Sequence, residues 1–527
     1  MILRSAAVAA LSTVAFITVA PPAQAAGSFQ TITRDGVSIK YQRVAQTGTP
    51  VSGQGTTKSD FDGDGLDDIA AAARGGVIVR YSSKRWVDYF GNTTGESALT
   101  LGTALTSADF NSDGYDDLVM ADPAEKDAAN GTFAGGLWIV PGSAQGLAVA
   151  PIRHLNQGST GVPGTSGPGD EFGGALAAGD LNGDGRPELA VGIPGKDLDV
   201  AKSAGFVLLF PGTASGIGTT GVVTMHQNST GMPDNAEDWE RFGSALAIGR
   251  FSPDSYADLA IATPGEDSRD ATQETKGMVN MVFGSASGPR LSGVSSIYGS
   301  DYAADYPGIT PVMLGLGGLA FSDTNGDGGQ DLVIGVPKAT VDGQTEAGAI
   351  VTVLGNRDAF TGGEVQYITQ NSEGVPGGAE KGDSFGSAVA GGDVSGDGYG
   401  DVIVGVPGED TTAQNEGVLT LLRGTATGVA AGVSQTVGQG AGGTPGPANR
   451  DDFFGHDVEV LNLDGQGGLD AIVTASSEQD GQALDDSFGS VTTYTGGDPN
   501  FMRGLSRTTG NDLRITGFDT NIYGYVL

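Results

Sequence analysis

The sequence predicts an all-β fold assembled from a repeated unit of four short strands. Three observations carry that expectation: a composition rich in Gly and Asp, apolar residues gathered in short β-branched runs, and an acidic nine-residue segment that recurs seven times. Gly accounts for 90 of 527 residues, and the 63 acids divide into 47 Asp and 16 Glu. Asp serves turns, caps and hard-metal sites where Glu serves helices, so this skew excludes a mostly helical chain. Disorder is excluded too, because 38 % of residues are apolar and runs such as Val402-Ile403-Val404 can build a core.

The N-terminus reads as a secretory signal peptide over residues 1–25. Arg4 supplies a positive charge, Ser5 to Ala20 are almost all apolar, and Ala23-Gln24-Ala25 fits a small-x-small cleavage site. A secreted, extracellular protein is therefore expected. The apolar run is shorter than the ~20 residues of a spanning helix, and no other segment is apolar enough for membrane insertion. A formal net charge of −36 and a pI near 4.1 repel phosphate, which excludes nucleic acid and anionic membrane surfaces as partners. With no Cys, the chain has no disulfides, thiol chemistry or Cys-ligated metal.

The recurring segment is typified by Asp60-Phe61-Asp62-Gly63-Asp64-Gly65-Leu66-Asp67-Asp68. Its frame restarts at Asp109, Asp180, Arg250, Asp323, Asp393 and Asn462, giving intervals of 49, 71, 70, 73, 70 and 69 residues. A fixed period of this kind marks a repeat architecture. Oxygen-bearing side chains at positions 1, 3 and 5 converge when the backbone curls, position 6 is Gly because the curl needs φ > 0, position 7 offers its carbonyl, and position 9 closes the shell with a carboxylate. An all-oxygen cage suits Ca²⁺ better than Mg²⁺, which keeps more water.

Five copies carry the full pattern, and about five Ca²⁺ sites are expected. Their side-chain ligands are Asp60, Asp62, Asp64 and Asp68; Asp109, Asn111, Asp113 and Asp117; Asp180, Asn182, Asp184 and Glu188; Asp323, Asn325, Asp327 and Asp331; and Asp393, Ser395, Asp397 and Asp401. The position-7 carbonyls belong to Leu66, Tyr115, Arg186, Gly329 and Tyr399. EF-hands are excluded: the required position-12 Glu is replaced by Ala71, Met120, Val191, Ile334 and Val404, and a buried strand follows where a helix would have to start.

Two copies depart. In the fourth, Arg250 replaces the first ligand and Ser255 the glycine, so no metal is expected; Arg250 is expected to pair with Asp254 or Asp258 and stand in for the cation. The seventh keeps Asn462, Asp464, Gln466 and Asp470, with only two charges, and is expected to be weak or empty.

The flanks repeat as well. Eight residues before the loop stands Phe172-Gly173, Phe242-Gly243, Phe385-Gly386 or Phe454-Gly455; after it a strand ends in Gly192-Ile193-Pro194, Ala262-Thr263-Pro264, Gly335-Val336-Pro337 or Gly405-Val406-Pro407. A third strand opens with Gly, as in Gly205-Phe206-Val207-Leu208, and a fourth carries polar segments such as His226-Gln227-Asn228-Ser229. Phe-Gly, Asp-rich loop and Gly-x-Pro together resemble the FG-GAP repeat family, found in integrin α-subunit N-terminal regions and in many secreted bacterial proteins, the type this composition suggests. The resemblance implies a seven-bladed β-propeller of four-stranded blades, with Ca²⁺ held between the first two strands and ligands usually met on the other face.

It covers residues 53–496, between an N-terminal extension at 26–52 and a C-terminal segment at 497–527. The first blade lacks both Phe-Gly and Gly-x-Pro, and the fifth lacks Phe-Gly at its Gly315-Leu316. Because a propeller closes by pairing the two ends of its chain, Ile522-Tyr523-Gly524-Tyr525 is expected to supply the aromatic-Gly strand that blade one is missing, beside Asp68–Ala72.

Catalytic motifs are scarce. His154, His226 and His456 read as strand-surface residues. Gly382-Asp383-Ser384-Phe385-Gly386 matches G-x-S-x-G, but Ser384 is the variable residue before Phe-Gly, occupied elsewhere by Glu171, Arg241 and Phe453. The expected function is a monomeric extracellular interaction or adhesion module for a protein or glycan, with variable segments such as Asp267–Lys276 and Gly299–Thr310 free to recognise it. The alternative is an extracellular Ca²⁺-dependent hydrolase or polysaccharide lyase using the face opposite the calcium loops. A separate catalytic domain is not expected in the ~27 residues between the cleavage site and the first repeat.

Overall fold

The computed structural model describes residues 29–45, 58–73, 76–83, 85–92, 100–267, 276–301, 305–356, 360, 365–440, 444–477, 490–497, 504–509 and 522–526. The expected signal peptide, most of Asp267–Lys276 and part of Gly299–Thr310 lie outside them. Among the described residues every regular element is a β-strand, and no helix is long and apolar enough to cross a membrane.

Seven antiparallel sheets succeed one another around a ring as the blades of a propeller. Blade 3 is representative: Ala175–Gly179, Glu188–Ile193, Phe206–Phe210 and Val223–Met225 pair in chain order from the axis outward. Blades 2, 4, 5, 6 and 7 repeat this order, their first strands being Leu105–Ala108, Leu246–Gly249, Leu319–Ser322, Val389–Gly392 and Phe454–Leu461. Those first strands pack on one another around the axis.

The second strands are buried on both faces, which explains why they read as unbroken apolar runs. Their side chains alternate between two neighbours: Leu189 and Val191 pack with blade 2, whereas Ala190 packs with blade 4. Hence the core lies between blades, and no blade could bury its faces alone.

Blade 1 is built from both ends of the chain. Its order is Ile522–Val526, Ile69–Ala73, Gly76–Arg80, Trp86–Asn92, Val37–Ala45 and Gln30–Arg34. The terminal strand lies innermost, with Ala71 opposite Val526 and Ala73 opposite Ile522. At the outer edge the 30–45 hairpin, turned by Asp35 (φ 48°) and Gly36 (φ 83°), widens the sheet to six strands. Buried Asp88 fixes this hairpin: it accepts from Arg43 Nε at 2.6 Å, Tyr41 Oη at 3.1 Å and Tyr81 Oη at 2.6 Å.

The Phe-Gly motifs fasten each blade to the one before. Phe172, Phe242, Phe385 and Phe454 are fully buried, and their N–H groups donate to Ala134, Ala204, Ala347 and Glu416 carbonyls at 2.8–3.0 Å. Leu314-Gly315 takes the same place in blade 5, Leu314 N donating to Lys276 O at 2.9 Å. Ser384 holds φ 59°, and so do its counterparts Glu171, Arg241 and Phe453 at 53–62°. The conformation therefore belongs to the repeat, and Ser384 is no nucleophile elbow.

Candidate metal centre

All seven acidic loops lie on one face, each leading into the second strand of its blade, and in blades 2–7 joining it to the first. The position-1 carboxylate organises each intact loop from inside: Asp60 Oδ1 accepts from Gly63 N (2.7 Å) and Asp64 N (3.1 Å), and its Oδ2 from Gly65 N (2.8 Å). Asp109, Asp180, Asp323 and Asp393 make corresponding bonds. Position 6 is left-handed throughout, with φ 84–91° at Gly65, Gly114, Gly185, Gly328 and Gly398.

Position 4 is left-handed as well, at Gly63, Ser112, Gly183, Gly326 and Gly396 (φ 58–73°), a requirement the metal pattern does not contain. In three loops the position-4 glycine also carries the next blade's position-7 ring. A Cβ on Gly63, Gly183 or Gly326 would stand 2.5, 2.8 or 3.0 Å from Tyr115, Tyr256 or Tyr399.

Position 9 is buried in every blade and does structural work beside any metal. Asp68, Asp117, Asp258, Asp331, Asp401 and Asp470 each accept, through Oδ1, a backbone N–H at the end of the third strand at 2.8–3.2 Å. In five of these the other oxygen accepts from the loop itself, as Phe61 N does to Asp68 Oδ2 at 3.0 Å. Glu188 instead takes Leu181 N and Asn182 Nδ2. The same staple serves Asp258 in the loop where no metal is expected.

The loops differ in how far they converge. Asp60, Asp62 and Asp68 are all buried, with one oxygen of each within 4.8 Å of the others, and they form the one such carboxylate triad among the described residues. Asp62 Oδ1 and Asp64 Oδ2 are shielded from solvent without a hydrogen-bond partner. Asn111 Oδ1 and Ser395 Oγ are orphaned in the same way. The position-5 acids Asp113, Asp184, Asp327 and Asp397 are exposed and accept from the N–H groups of Tyr115, Arg186, Gly329 and Tyr399 at 2.9–3.1 Å.

Burial, reinforced by neighbouring acids, pushes these carboxyls upward: Asp64, Asp331 and Asp401 to about 6, Asp117 and Glu188 to about 7. The set favours any cation that can replace the missing positive charge. Seventh-loop Asp470 is pushed to about 7 as well.

Arg250 does not play the part expected of it. Its side chain is exposed, and no ion pair links it to Asp254 or Asp258 among the described residues; the guanidinium beside Asp254 is that of Arg290, at 3.9 Å. With no ion pair to Asp254 or Asp258, the guanidinium stays in water, where its charge is hydrated, while Phe251 is fully buried just as Phe61 and Phe110 are at the same position. His154 also departs from expectation. It is buried, its Nε2 is 2.5 Å from Glu125 Oε1, and the Trp138 indole donates to Glu125 Oε2 at 2.9 Å. His226 stacks on Phe206, ring centroids 4.9 Å apart.

Adjacent loops are joined around the rim. The position-8 N–H of one loop donates to the position-1 carbonyl of the loop before it: Asp116 to Asp60, Ala257 to Asp180, Gln330 to Arg250, Gly400 to Asp323, Leu469 to Asp393 and Asp67 to Asn462, at 2.7–3.2 Å. Between blades 2 and 3 the position is Pro187, which has no N–H to give.

Comparison with known proteins agrees with this architecture. Residues 101–140, 172–210 and 385–422 match the FG-GAP repeat, so the chain carries FG-GAP repeats in blades 2, 3 and 6. It is 34 % identical over 173 residues to the phosphatidylinositol-glycan-specific phospholipase D of Homo sapiens, covering 32 % of this chain and 19 % of that protein. The Mus musculus protein of that name is 33 % identical over 181 residues, 34 % of this chain and 20 % of the relative. Integrin alpha-4 of Xenopus laevis is 30 % identical over 168 residues, 32 % of this chain and 14 % of the relative. The chain thus spans about a fifth or less of the length of these relatives.

Proposed function

We propose that this FG-GAP propeller is a secreted, Ca²⁺-stabilised interaction module whose face opposite the acidic loops docks an extracellular protein or glycan. The observation that carries the docking face is where large apolar side chains are left in water. Of the six large apolar side chains exposed among the described residues, Phe133 (44 %), Val200 (90 %), Trp239 (65 %) and Leu316 (40 %) belong to segments joining second to third strands or one blade to the next, on the face away from the loops, while Val44 and Val433 lie on outer strands. Neighbouring segments are tied: Trp239 N donates to Lys202 O at 2.6 Å, next to the Val200 turn, and Gly169 N to Phe133 O at 2.7 Å. Exposed apolar groups gathered on one face are the usual mark of a docking surface.

The metal reading rests on the loops' donor chemistry. Carboxylate, amide and carbonyl oxygens are hard ligands, and the orphaned oxygens of Asp62, Asp64 and Asn111 are lone pairs in need of a cation. Asp60, Asp62, Asp64, Asp68 and the Leu66 carbonyl would hold the first ion, and the corresponding residues of loops 2, 3, 5 and 6 the others. Each ion would neutralise clustered charge and fix the turn.

A glycan and extracellular-protein binding array in 1 mM Ca²⁺, run on wild type, Trp239→Ala and Val200→Ser, tests the docking face. The proposal expects a ligand whose signal falls at least tenfold in both variants. A ligand bound equally by all three would place recognition elsewhere. A polysaccharide-degradation screen on the same samples tests the enzymatic alternative, for which an open depression lined by Gln344, Asn371, Glu380 and Lys381 is the available cleft.

A further inference from the structure

On the face opposite the acidic loops, three blade junctions among the described residues share one backbone arrangement of three side chains. The spacing is the same in each: a Gln, an acid 13 residues later, and a third residue 26 beyond the acid. The sets are Gln157, Asp170 and Lys196; Gln227, Glu240 and Glu266; and Gln370, Asp383 and Glu409; a fourth at the same spacing, Gln439, Asp452 and Glu478, has its third residue outside the described residues. Backbone hydrogen bonds confirm the equivalence. Asp170, Glu240 and Asp383 carbonyls accept from Gly195, Gly265 and Gly408, each at 3.0 Å, and Lys196, Glu266 and Glu409 carbonyls accept from Gly205, Gly277 and Gly417 at 2.9–3.1 Å.

In the first set a cation site is visibly built and filled. Lys196 Nζ lies 2.6 Å from Asp170 Oδ2, 2.5 Å from Thr165 O and 3.5 Å from Gln157 Oε1, in a place where both charged side chains are nearly buried. Acid and ammonium cancel.

In the second and third sets the lysine is replaced by a glutamate while the acid and the glutamine stay, so the charge passes from zero to −2. Gln227, Glu240 and Glu266 are 2, 3 and 5 % exposed. The Glu240 and Glu266 carboxyls stand within hydrogen-bonding reach of each other, and Gln227 Nε2 donates to Glu266 Oε2 at 2.7 Å. Gln370 Nε2 likewise donates to Glu409 Oε2 at 2.5 Å, beside Asp383. That leaves Gln227 Oε1 and Gln370 Oε1 buried with no partner, on amides already turned into the acidic clusters. Gln157 Oε1, their counterpart, is the oxygen that faces the ammonium.

We infer that each of these two junctions binds a divalent cation of the Ca²⁺ class, through Glu240, Glu266 and Gln227 Oε1 in one and Asp383, Glu409 and Gln370 Oε1 in the other. A single proton shared between the carboxyls would leave one negative charge buried, whereas a divalent ion balances both, as the lysine balances one. Oxygen-only donors match Ca²⁺. These ions would pin neighbouring blades together beneath the proposed docking face, and they are separate from the ions of the acidic loops.

Ca²⁺ stoichiometry by equilibrium dialysis at pH 7.5 tests the assignment on the full chain. Glu266→Lys with Glu409→Lys copies the arrangement at Lys196, so this variant is expected to fold and to bind two fewer ions than wild type. The isosteric pair Glu266→Gln with Glu409→Gln should lose the same two ions, and serves if the lysine pair is unstable. Conversely, Lys196→Glu should gain one. All variants keep every acidic loop, so the difference does not depend on how many loops are filled. Equal stoichiometry in wild type and the glutamine variant would overturn the assignment and leave a proton as the shared occupant.

Discussion

Asp67 of blade 1 and Asn462 of blade 7 close the ring on the loop face through a reciprocal pair of hydrogen bonds: Asp67 N donates to Asn462 O at 2.9 Å, and Asn462 N donates to Asp67 Oδ2 at 2.7 Å. Asp67 Oδ1 also accepts from Lys58 N at 2.8 Å. Asp67→Ala would leave two backbone donors without their acceptor, at a cost of about 2–4 kcal/mol, while Asp67→Asn keeps one acceptor and should cost less than about 1.5 kcal/mol. Urea unfolding of the two variants measures this; an alanine variant as stable as wild type would show that the junction does not need the carboxylate.

Removing Ca²⁺ should loosen the whole ring. With a dissociation constant of ~0.1 mM and ~1 mM free Ca²⁺, linkage gives about 1.4 kcal/mol per loop, or roughly 7 kcal/mol for five. The expected outcome is a melting temperature that falls by many degrees in chelator and recovers on adding Ca²⁺. Asp62→Ala should remove the tightest ion, because its loop alone brings three buried carboxylates together. A melting temperature indifferent to chelator would refute calcium stabilisation.

Two glycines in one loop should respond differently to alanine. Gly185 (φ 84°) faces open space, so Gly185→Ala carries backbone strain alone, on the order of 1 kcal/mol. Gly183 (φ 72°) has the same strain plus a Cβ 2.8 Å from the Tyr256 ring of the next blade. Gly183→Ala should therefore cost about 2–4 kcal/mol in all. Equal losses in chemical denaturation would mean that the ring gives way freely.

Stability should carry a histidine signature as pH rises above 6.5. Burial lowers the His154 pKa, but Glu125 and Asp35 together outweigh it and the net shift is upward from 6.5. A folded pKa above the unfolded one contributes stability that is fully present below pH 6.5 and is lost as pH rises through the folded value. Wild type should thus lose melting temperature over this range relative to His154→Gln. Parallel profiles for the two proteins would show that His154 is not charged in the fold.

The 30–45 hairpin should be held chiefly by Asp88, which is 0 % exposed and engages Arg43, Tyr41 and Tyr81. Asp88→Ala leaves the guanidinium and two phenols without their acceptor, at about 3–5 kcal/mol. Hydrogen exchange over Val37–Ala45 should accelerate before that of blades 2–6; unchanged protection there would relocate the anchor.

Much of the architecture was legible in the sequence because each repeat spells out its own local chemistry: Asp at positions 1 and 9, Gly at 6, and a β-branched run behind them. What was not legible lies between repeats. Gly at position 4 recurs in five of the seven copies, yet in three of them it faces a tyrosine 52 or 73 residues on in the next blade. Position 8 acts through its backbone N–H, which no residue type announces, and only Pro187 betrays it. His154 looked like a surface residue because alternation along a strand cannot reveal Glu125 on another strand's loop or a hairpin folded over from the N-terminus. Arg250 is a related case: the spacing shows a cation where a ligand belongs, but not that its guanidinium stays in solvent, away from Asp254 and Asp258.

Pro187 gives the rim a topology that the sheets beneath it lack. Six rungs join seven loops, so the chain of loop-to-loop bonds is linear and has two ends, at blades 2 and 3, where Ser112 Oγ to Gly185 O at 2.9 Å is a side-chain substitute for the missing rung. One imino acid thus sets the single break in the run of backbone rungs, and the break stands far in sequence from the place where the chain's own termini meet.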